Sequence, residues 1–290
     1  METTLIFRDG LELPDFASFV LLDDHVGFQA LRSYYAAYVA IAQRHDVGIV
    51  LDTPTWRANP DWGARLGYSA EALEDVNRRG VTLLENVRAE AGDGVAMVIS
   101  GCIGPRGDGY VVADAMSADE ARDYHSPQVS TFAGTSADLV SALTLNYADE
   151  ATGIARAATD AGIPSVISFT VETDGRLPST SGQELRDAVA EVDAATADAP
   201  AYYMVNCAHP SHFEDVLSQG GLERVRGLRA NASTKSHAAL AEAEELDQGD
   251  PDDLAARYRD LRPFMPGLNV VGGCCGTDER HIEKICAAFS

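Results

Sequence analysis

Short apolar runs rich in valine and isoleucine alternate with longer amphipathic stretches along the whole chain. The short runs predict buried strands, and apolar residues spaced three and four apart predict helices that cover them. The predicted strands are 47–54, 95–104, 139–147, 164–171, 201–208, 225–232 and 268–275. The predicted helices are 28–44, 70–90, 118–132, 149–161, 182–197, 211–218, 236–245, 251–261 and 279–289. This alternation is typical of parallel strands joined by crossover helices.

The strand and helix units repeat without a linker, a low-complexity tract or a break in composition. They predict a single domain over residues 1–290, because a chain of this length can bury one large α/β core. We expect an α/β fold of the TIM-barrel type, with an open doubly wound sheet as the alternative. Residues 1–24 carry no strand pattern before the first long helix. We therefore expect a barrel without its first strand.

The formal net charge is −23, from 45 acidic and 22 basic residues. This balance disfavours nucleic acids and anionic membrane surfaces as partners, since both require concentrated positive charge. The excess of acid fits either adaptation to salt or a compositional bias. No apolar run reaches the length of a membrane span, and the N-terminus lacks the order of a signal peptide. A cytoplasmic protein is the expectation.

Three of the five cysteines lie at the carboxyl ends of predicted strands: Cys207 in the strand 201–208, and the adjacent pair Cys274 and Cys275 in the strand 268–275. The carboxyl ends of parallel strands in a barrel share one rim, so these sulfurs can meet there. Adjacent side chains of a regular strand point to opposite faces, so the pair needs a local bend. The neighbouring glycines at 272, 273 and 276 permit that bend.

Three thiolates suit Zn²⁺, and three protein ligands leave a fourth position open, as in catalytic zinc sites. The alternatives for the adjacent pair are a strained disulfide or two inert buried thiols. We expect Cys102 and Cys286 to pack in the core. An odd number of cysteines in a chain of this size does not suggest a secreted disulfide framework.

Several polar residues at strand ends are candidates for the same site. Asn206 and Asn231 can donate hydrogen bonds there or cap the adjacent turns. The segment 52–56, Asp-Thr-Pro-Thr-Trp, can line a polar pocket or pack the rim. The glycine-rich segment 101–109 allows either a close approach to substrate or an ordinary turn. His209 is interpreted as a neighbour of the site rather than a ligand.

Asn206-Cys207 and the run Gly-Gly-Cys-Cys-Gly-Thr at 272–277 resemble the zinc signature of the homocysteine S-methyltransferases, of the betaine and S-methylmethionine type. The resemblance extends over nearly the whole chain and includes 52–56, 101–109 and 229–231. It implies a TIM barrel in which Cys207, Cys274 and Cys275 bind zinc. It further implies methyl transfer from a small sulfonium or betaine donor to the thiolate of homocysteine, giving methionine, with Asp52 and Thr53 as substrate contacts.

The sequence departs from this family at two places. Family members open with a strand that ends in Asp-Gly-Gly, and no such strand precedes Glu2 here, which suggests an internal methionine read as the start or a truncated chain. Relatives also carry a glutamate for the homocysteine amino group where Leu143 and Thr144 stand. Glu172 is a candidate replacement, with Asp174 and Glu150 as the other two carboxylates considered.

The expected partners are a small-molecule thiol and a methyl donor, with no nucleic acid and no membrane. A homo-oligomer is compatible with the sequence. Two enzymatic alternatives remain, namely another thiol acceptor and a donor carried by a separate corrinoid protein. An alternative of a different class is a zinc-binding or thiol-redox protein without methyltransferase activity on the same barrel.

Overall fold

Seven strands form one parallel sheet whose order follows the chain from first to last. The computed structural model describes residues 1–112, 114–178, 182–243 and 245–289. The strands are β1 Ile49–Asp52, β2 Met97–Ile103, β3 Leu139–Leu145, β4 Ser165–Phe169, β5 Tyr202–Asn206, β6 Val225–Ala230 and β7 Val270–Gly273. Each observed strand lies inside its predicted range, so all seven predicted strands are confirmed.

Eleven α-helices accompany the strands in the described part of the chain. They are α1 Glu2–Phe7, α2 His25–His45, α3 Pro60–Arg65, α4 Ala70–Ala91, α5 Ala118–Ala133, α6 Ala148–Ala161, α7 Leu185–Thr196, α8 Glu214–Ser218, α9 His237–Ala241, α10 Pro251–Leu261 and α11 Glu279–Phe289. The strand order rules out the doubly wound alternative, in which the order reverses at a switch point. The fold is therefore α/β of the TIM-barrel type.

The helix predictions need four corrections. The short helices α1 and α3 were not predicted, because six residues are too few for a helical period to be recognised. A cap signal for α3 was present, since Asn59 accepts from the amide of Trp62 and Pro60 follows it. The predicted helix 211–218 is a 3-10 turn, Pro210–His212, followed by α8. The predicted helix 236–245 ends at Ala241, and its position 244 lies outside the described residues.

β1 and β7 form the two edges of the sheet. Among the described residues, β1 pairs only with β2, and β7 pairs only with β6. Between them lies a cavity of about 520 Å³, lined by both strands and by Tyr34, Tyr35 and Tyr38 of α2. An eighth strand would run there in a closed barrel. The seven strands thus leave the barrel open at one place, as expected from the missing first strand.

The helices pack on the outer face of the sheet, and buried apolar side chains fill both the wall and the interior. Close packing is visible at Gly101 of β2, where a Cβ atom would lie 2.4 Å from the ring of Phe132 on α5. Ser117 and Glu120 form a capping box that starts α5. No helix in the described part of the chain has the length and hydropathy of a membrane-crossing segment. The catalytic rim of this fold class lies at the carboxyl ends of the strands.

Candidate metal centre

The structure brings Cys207, Cys274 and Cys275 together at the carboxyl ends of β5 and β7. Their three sulfur atoms lie within 4.8 Å of one another. The sulfurs of Cys207 and Cys275 are 3.5 Å apart, and all three residues are free thiols, so no disulfide joins them. Sulfur ligands about 2.3 Å from a tetrahedral ion lie about 3.8 Å apart. This cluster can therefore bind a metal ion.

Two unusual backbone segments place the sulfurs. Cys207 has a φ of 56°, in the left-handed region that is uncommon for residues other than glycine. Gly276 has a φ of 78°, and a Cβ there would lie 2.4 Å from the carbonyl oxygen of Asp247. The amide of Cys274 donates to Ala230 at 2.8 Å, which anchors the adjacent pair to the end of β6. The bend predicted at these glycines is present.

Hydrogen bonds within the cluster separate the pKa values of the three thiols. The pKa of Cys274 is well below its usual value, because Cys207 and then Cys275 donate hydrogen bonds to its sulfur. The pKa of Cys207 is raised by its hydrogen bonds with Cys274 and Cys275 and by burial. At Cys275 the hydrogen bond from Cys207 lowers the pKa, but Cys274 and burial outweigh it and raise the value to about 12. The hydrogen bonds within the cluster therefore favour the thiolate form of Cys274 over that of the other two cysteines.

Tyr110 places its phenol oxygen at the cluster, 2.8 Å from the sulfur of Cys207 and 3.9 Å from that of Cys275. Its ring stacks on the imidazole of His237, with centroids 4.0 Å apart. Burial, followed by the charges of Cys207 and Cys275, raises the pKa of Tyr110 well above its usual value. A hydroxyl group therefore lies against two of the three sulfurs.

Asn206 connects the cluster to β3 and β4. Its amide nitrogen donates to the hydroxyl of Thr144 at 2.7 Å and lies 3.9 Å from the sulfur of Cys274. Its amide oxygen accepts from the backbone of Thr144 and from the hydroxyl of Ser168. Thr144 has a φ of 64° at a register irregularity in β3, a strained conformation for a β-branched residue. Strain of this kind is concentrated at functional sites.

The backbone carbonyl oxygen of Cys207 links the cluster to side chains of other segments by hydrogen bonds. It accepts from His237 Nε2 at 2.9 Å and from the amide of Asn231 at 3.4 Å. The other ring nitrogen of His237 lies 3.2 Å from a carboxylate oxygen of Glu172. Asn231 and Glu172 were both predicted as site residues. Asn231 contacts the carbonyl of Cys207 directly, and Glu172 is linked to that carbonyl through His237.

Asp52 and Thr53 lie at the end of β1 and have partners of their own. Asp52 Oδ2 accepts from Arg229 Nη1 at 2.6 Å, and its Oδ1 is buried without a hydrogen-bond partner among the described residues. The hydroxyl of Thr53 accepts from the amide of Cys102 at 2.9 Å and contacts the hydroxyl of Thr55. Neither side chain has a hydrogen bond to the three cysteines.

A sequence model of the homocysteine S-methyltransferases matches residues 1–289, which is essentially the whole chain. The chain belongs to the homocysteine S-methyltransferase family. The cysteine cluster thus lies at the strand ends of a member of that family, and its three sulfurs are close enough together to bind a metal.

Comparisons with individual proteins agree with the family assignment. The chain is 33% identical over 147 residues to a methionine synthase of Mycobacterium leprae (strain TN). This match covers 48% of this chain and 11% of that protein. The chain therefore spans about a ninth of the length of this curated relative. The metallated form of the homocysteine methyltransferase MmuM from Escherichia coli is 21% identical, with a TM-score of 0.71, and the match covers 96% of this chain and 91% of that one.

The oxidized form of the same Escherichia coli enzyme is also similar, with 21% identity and a TM-score of 0.73 over 96% of this chain and 90% of that one. At this level of identity the two structures establish the fold. They support a TIM-type arrangement for this member of the homocysteine S-methyltransferase family.

Three residues at or beside the cluster were not predicted as site residues: Tyr110 contacts two of the sulfurs, His237 contacts the carbonyl of Cys207, and Thr144 contacts Asn206. Tyr110 directly follows the glycine-rich segment 101–109, which indicated a close approach but no particular side chain. His237 opens the five-residue helix α9. Thr144 was noted only as occupying the place of a glutamate. His209, by contrast, contacts Ser211 and does not belong to the metal-binding group found among the described residues.

Proposed function

We propose that this chain is a zinc-dependent homocysteine S-methyltransferase that moves a methyl group from a small sulfonium or betaine donor to homocysteine, giving methionine. Cys207, Cys274 and Cys275 are the proposed zinc ligands. The observation that carries the proposal is the meeting of these three sulfurs within 4.8 Å at the strand ends of a family member.

The donor set fits zinc in its chemistry and spacing. Three sulfur ligands favour a borderline-soft ion, and a site with three protein ligands accepts one more group. When bound, zinc supplies a Lewis acid that keeps a substrate thiol deprotonated near neutral pH. The lowered pKa of Cys274, caused first by the hydrogen bond from Cys207, favours the thiolate form that a metal ion binds.

The residues of the chain arrange this chemistry. Asn206 faces the sulfur of Cys274, and His237 holds the carbonyl of Cys207. The sulfur of homocysteine attacks the methyl carbon in line, so that a new S–C bond forms as the bond from that carbon to the donor breaks. A cationic donor leaves as a neutral molecule, which lowers the barrier to transfer.

We propose Asp52, Thr53, Asn206, Asn231 and Glu172 as the residues around the substrate. The unpartnered Oδ1 of Asp52 is a suitable acceptor for an ammonium group. The carboxylate of Glu172, 36% exposed beside His237, is a second acceptor. We propose that these two carboxylates replace the glutamate whose place Leu143 and Thr144 occupy.

Three broader features belong to the same proposal. The unbroken seven-stranded sheet supports a single domain over residues 1–290. A function that requires reduced thiols suits the reducing conditions of the cytoplasm. The acceptor remains a small-molecule thiol, and a separate corrinoid protein as carrier of the methyl group is the enzymatic alternative.

A thiol-redox function is the second candidate. The sulfurs of Cys207 and Cys275 are 3.5 Å apart, so a small movement brings them within bonding distance. Loss of two electrons and two protons to an oxidant such as a disulfide would then join them. A redox protein changes its own oxidation state, whereas a methyltransferase consumes a thiol and a donor together.

The deciding experiment measures zinc content and methionine formation in the same preparation. We expect about one zinc per chain, and methionine from homocysteine with S-methylmethionine or a betaine. Cys274→Ala should lose both zinc and turnover, while the matched control Cys286→Ala, on α11, should keep both. Full turnover in Cys274→Ala would contradict the mechanism. Zinc without turnover for any donor and thiol would favour the non-catalytic alternative.

A further inference from the structure

Arg57 lies in the connection that follows β1, at the rim formed by the carboxyl ends of the strands. Its side chain is only 11% exposed, and its Nε has no hydrogen-bond partner among the described residues. We propose that Arg57 binds a carboxylate group of a substrate held at this rim. The inference rests on the proposed function, and it adds the residue that recognises the acidic end of a substrate.

Two tryptophan rings hold the guanidinium group of Arg57 in place. Its central carbon lies 3.8 Å from the ring centre of Trp62 and 5.1 Å from that of Trp56. Such stacking uses the flat faces of the group and leaves the N–H bonds along its edge for hydrogen bonds. The orientation of Arg57 is therefore fixed, while its hydrogen-bonding edge stays unused.

No carboxylate in the part of the chain that the structure describes is hydrogen-bonded to this edge. The nearest one, that of Asp108, lies 3.9 Å from Nη2. Burial lowers the pKa of Arg57, whereas the charges of Asp108, Asp15 and Glu2 raise it. These three carboxylates have other hydrogen-bond partners, namely the amide of Tyr110, the side chain of Arg65 and the hydroxyl of Ser18, respectively. A guanidinium stays charged at neutral pH, so a largely buried positive charge is left without a bonded anion.

The loop after β2 connects Arg57 to the cysteine cluster. Asp108, beside Arg57, accepts from the amide of Tyr110, whose phenol oxygen lies 2.8 Å from the sulfur of Cys207. Asn146, just after β3, donates to the carbonyl oxygen of Asp108 at 3.0 Å and fixes this loop on the rim. A substrate whose sulfur lies at the cluster therefore directs its carboxylate along this loop to Arg57.

The surroundings of Arg57 favour a carboxylate over a phosphate group. A single guanidinium faces the ligand, and the nearby carboxylates repel a second negative charge. The edge of a guanidinium matches the two oxygens of a carboxylate in a bidentate pair. Homocysteine carries a carboxylate, and so do betaines and S-methylmethionine. The same chemistry is thus present in the acceptor and in the donor of the proposed reaction.

The alternative role of Arg57 is structural, in which it only holds the two tryptophans of this connection together. A structural role affects stability, but it does not distinguish a ligand with a carboxylate from the same ligand without one. Pairs of ligands that differ only in the carboxylate therefore separate the two roles.

The test uses tryptophan fluorescence, because the chain contains two tryptophans and both flank Arg57. The zinc-loaded protein is titrated with homocysteine and its decarboxylated form, and with glycine betaine and tetramethylammonium. In at least one pair, the ligand with the carboxylate should bind about tenfold more tightly than its counterpart. A preference in the first pair assigns the carboxylate to the acceptor, and a preference in the second assigns it to the donor.

Arg57→Gln should remove this preference, and Arg57→Lys, which keeps the charge without the planar edge, should retain part of it. The matched control is Arg65→Gln. Arg65 also stacks on Trp62, at 4.7 Å, but it is 61% exposed and paired with Asp15 at 2.9 Å. This variant should bind all four ligands like the parent protein. In turnover, Arg57→Gln should raise KM for the substrate with the recognised carboxylate and leave kcat unchanged.

An equal preference in the parent protein and in Arg57→Gln would overturn the inference. The absence of a preference in both pairs would also overturn it, with calorimetry as a second measurement that detects binding without a change in fluorescence. Methionine formation in the same preparation separates the two proposals. Methionine without any carboxylate preference rejects the role of Arg57 alone, whereas no methionine from any donor rejects the proposed function.

Discussion

His237 Nε2 lies 2.9 Å from the carbonyl oxygen of Cys207 and thereby holds a residue with a φ of 56°. A left-handed conformation costs a residue other than glycine roughly 1–2 kcal/mol. The hydrogen bond from His237, supported by the amide of Asn231 at 3.4 Å, offsets part of that cost. The sulfur of Cys207 points at its two partners because of this backbone conformation.

Replacing His237 should therefore weaken metal binding although it is not itself a proposed ligand. We expect His237→Ala to lower zinc affinity by about tenfold, the usual effect of losing a residue that orients a ligand. His237→Gln should recover most of the loss, because its side-chain amide can donate to the same carbonyl. Chelator competition measures the affinity of each variant.

The matched control is His25→Ala, which removes an exposed histidine at the start of α2. It should bind zinc like the parent protein. An unchanged affinity in His237→Ala would mean that the backbone of Cys207 keeps its conformation without this hydrogen bond. Equal losses in the alanine and glutamine variants would instead indicate a role for the ring in stacking against Tyr110.

The strands and the three cysteines could be predicted from the sequence because both leave a local signal. Each strand is a short apolar run, and Cys207, Cys274 and Cys275 follow two of those runs. Parallel strands bring their carboxyl ends to one rim whatever the details of the loops. The meeting of residues 68 positions apart thus followed from topology alone.

Tyr110 and Thr144 could not be predicted because their roles depend on loop and backbone conformation. Tyr110 lies 97 residues from Cys207, on a connection without hydrophobic period. Thr144 supports Asn206 only because its backbone leaves the regular β region within a predicted strand. The ion pair of Asp52 with Arg229 could not be predicted either, because Arg229 is 177 residues away and the chain contains many other arginines.

The open edges of the sheet should be its least stable part. The amide of Ile49 donates to Ala96, just before β2, and that of Thr53 donates to Ser100 in β2, so the alternate amides of Val50 and Asp52 face the cavity. We expect the amide of Leu51, although it faces β2, to exchange with deuterium at least about tenfold faster than that of Ile167 in β4. β7 should behave like β1.

Hydrogen exchange followed by mass spectrometry or by nuclear magnetic resonance measures this difference. Peptides that contain β4 provide the internal reference, because β4 pairs with a strand on each side. Equal protection in β1, β4 and β7 would show that the cavity is closed in solution by a second copy of the chain or by another segment.

The ion pair of Asp52 and Arg229 makes a prediction about stability. Their charged groups are 2.6 Å apart inside the barrel, where Arg229 is 28% and Asp52 17% exposed to the cavity. Removing one partner leaves a largely buried charge without compensation, which costs several kcal/mol when burial is complete. With this exposure we expect Asp52→Asn to lower the free energy of unfolding by about 2 kcal/mol.

Replacing both partners should lower the free energy of unfolding less than Asp52→Asn alone, because Asp52→Asn/Arg229→Met leaves no charge to desolvate. Urea unfolding of the parent, the two single variants and the double variant gives the coupling energy between the pair. If the changes in free energy of unfolding of the two single variants add up to that of the double variant, solvent in the cavity already compensates the charge of Arg229. A coupling of about 1 kcal/mol or more would instead show that Asp52 neutralises Arg229 in the folded protein, so a substrate amino group that binds Asp52 has to share its carboxylate with this arginine.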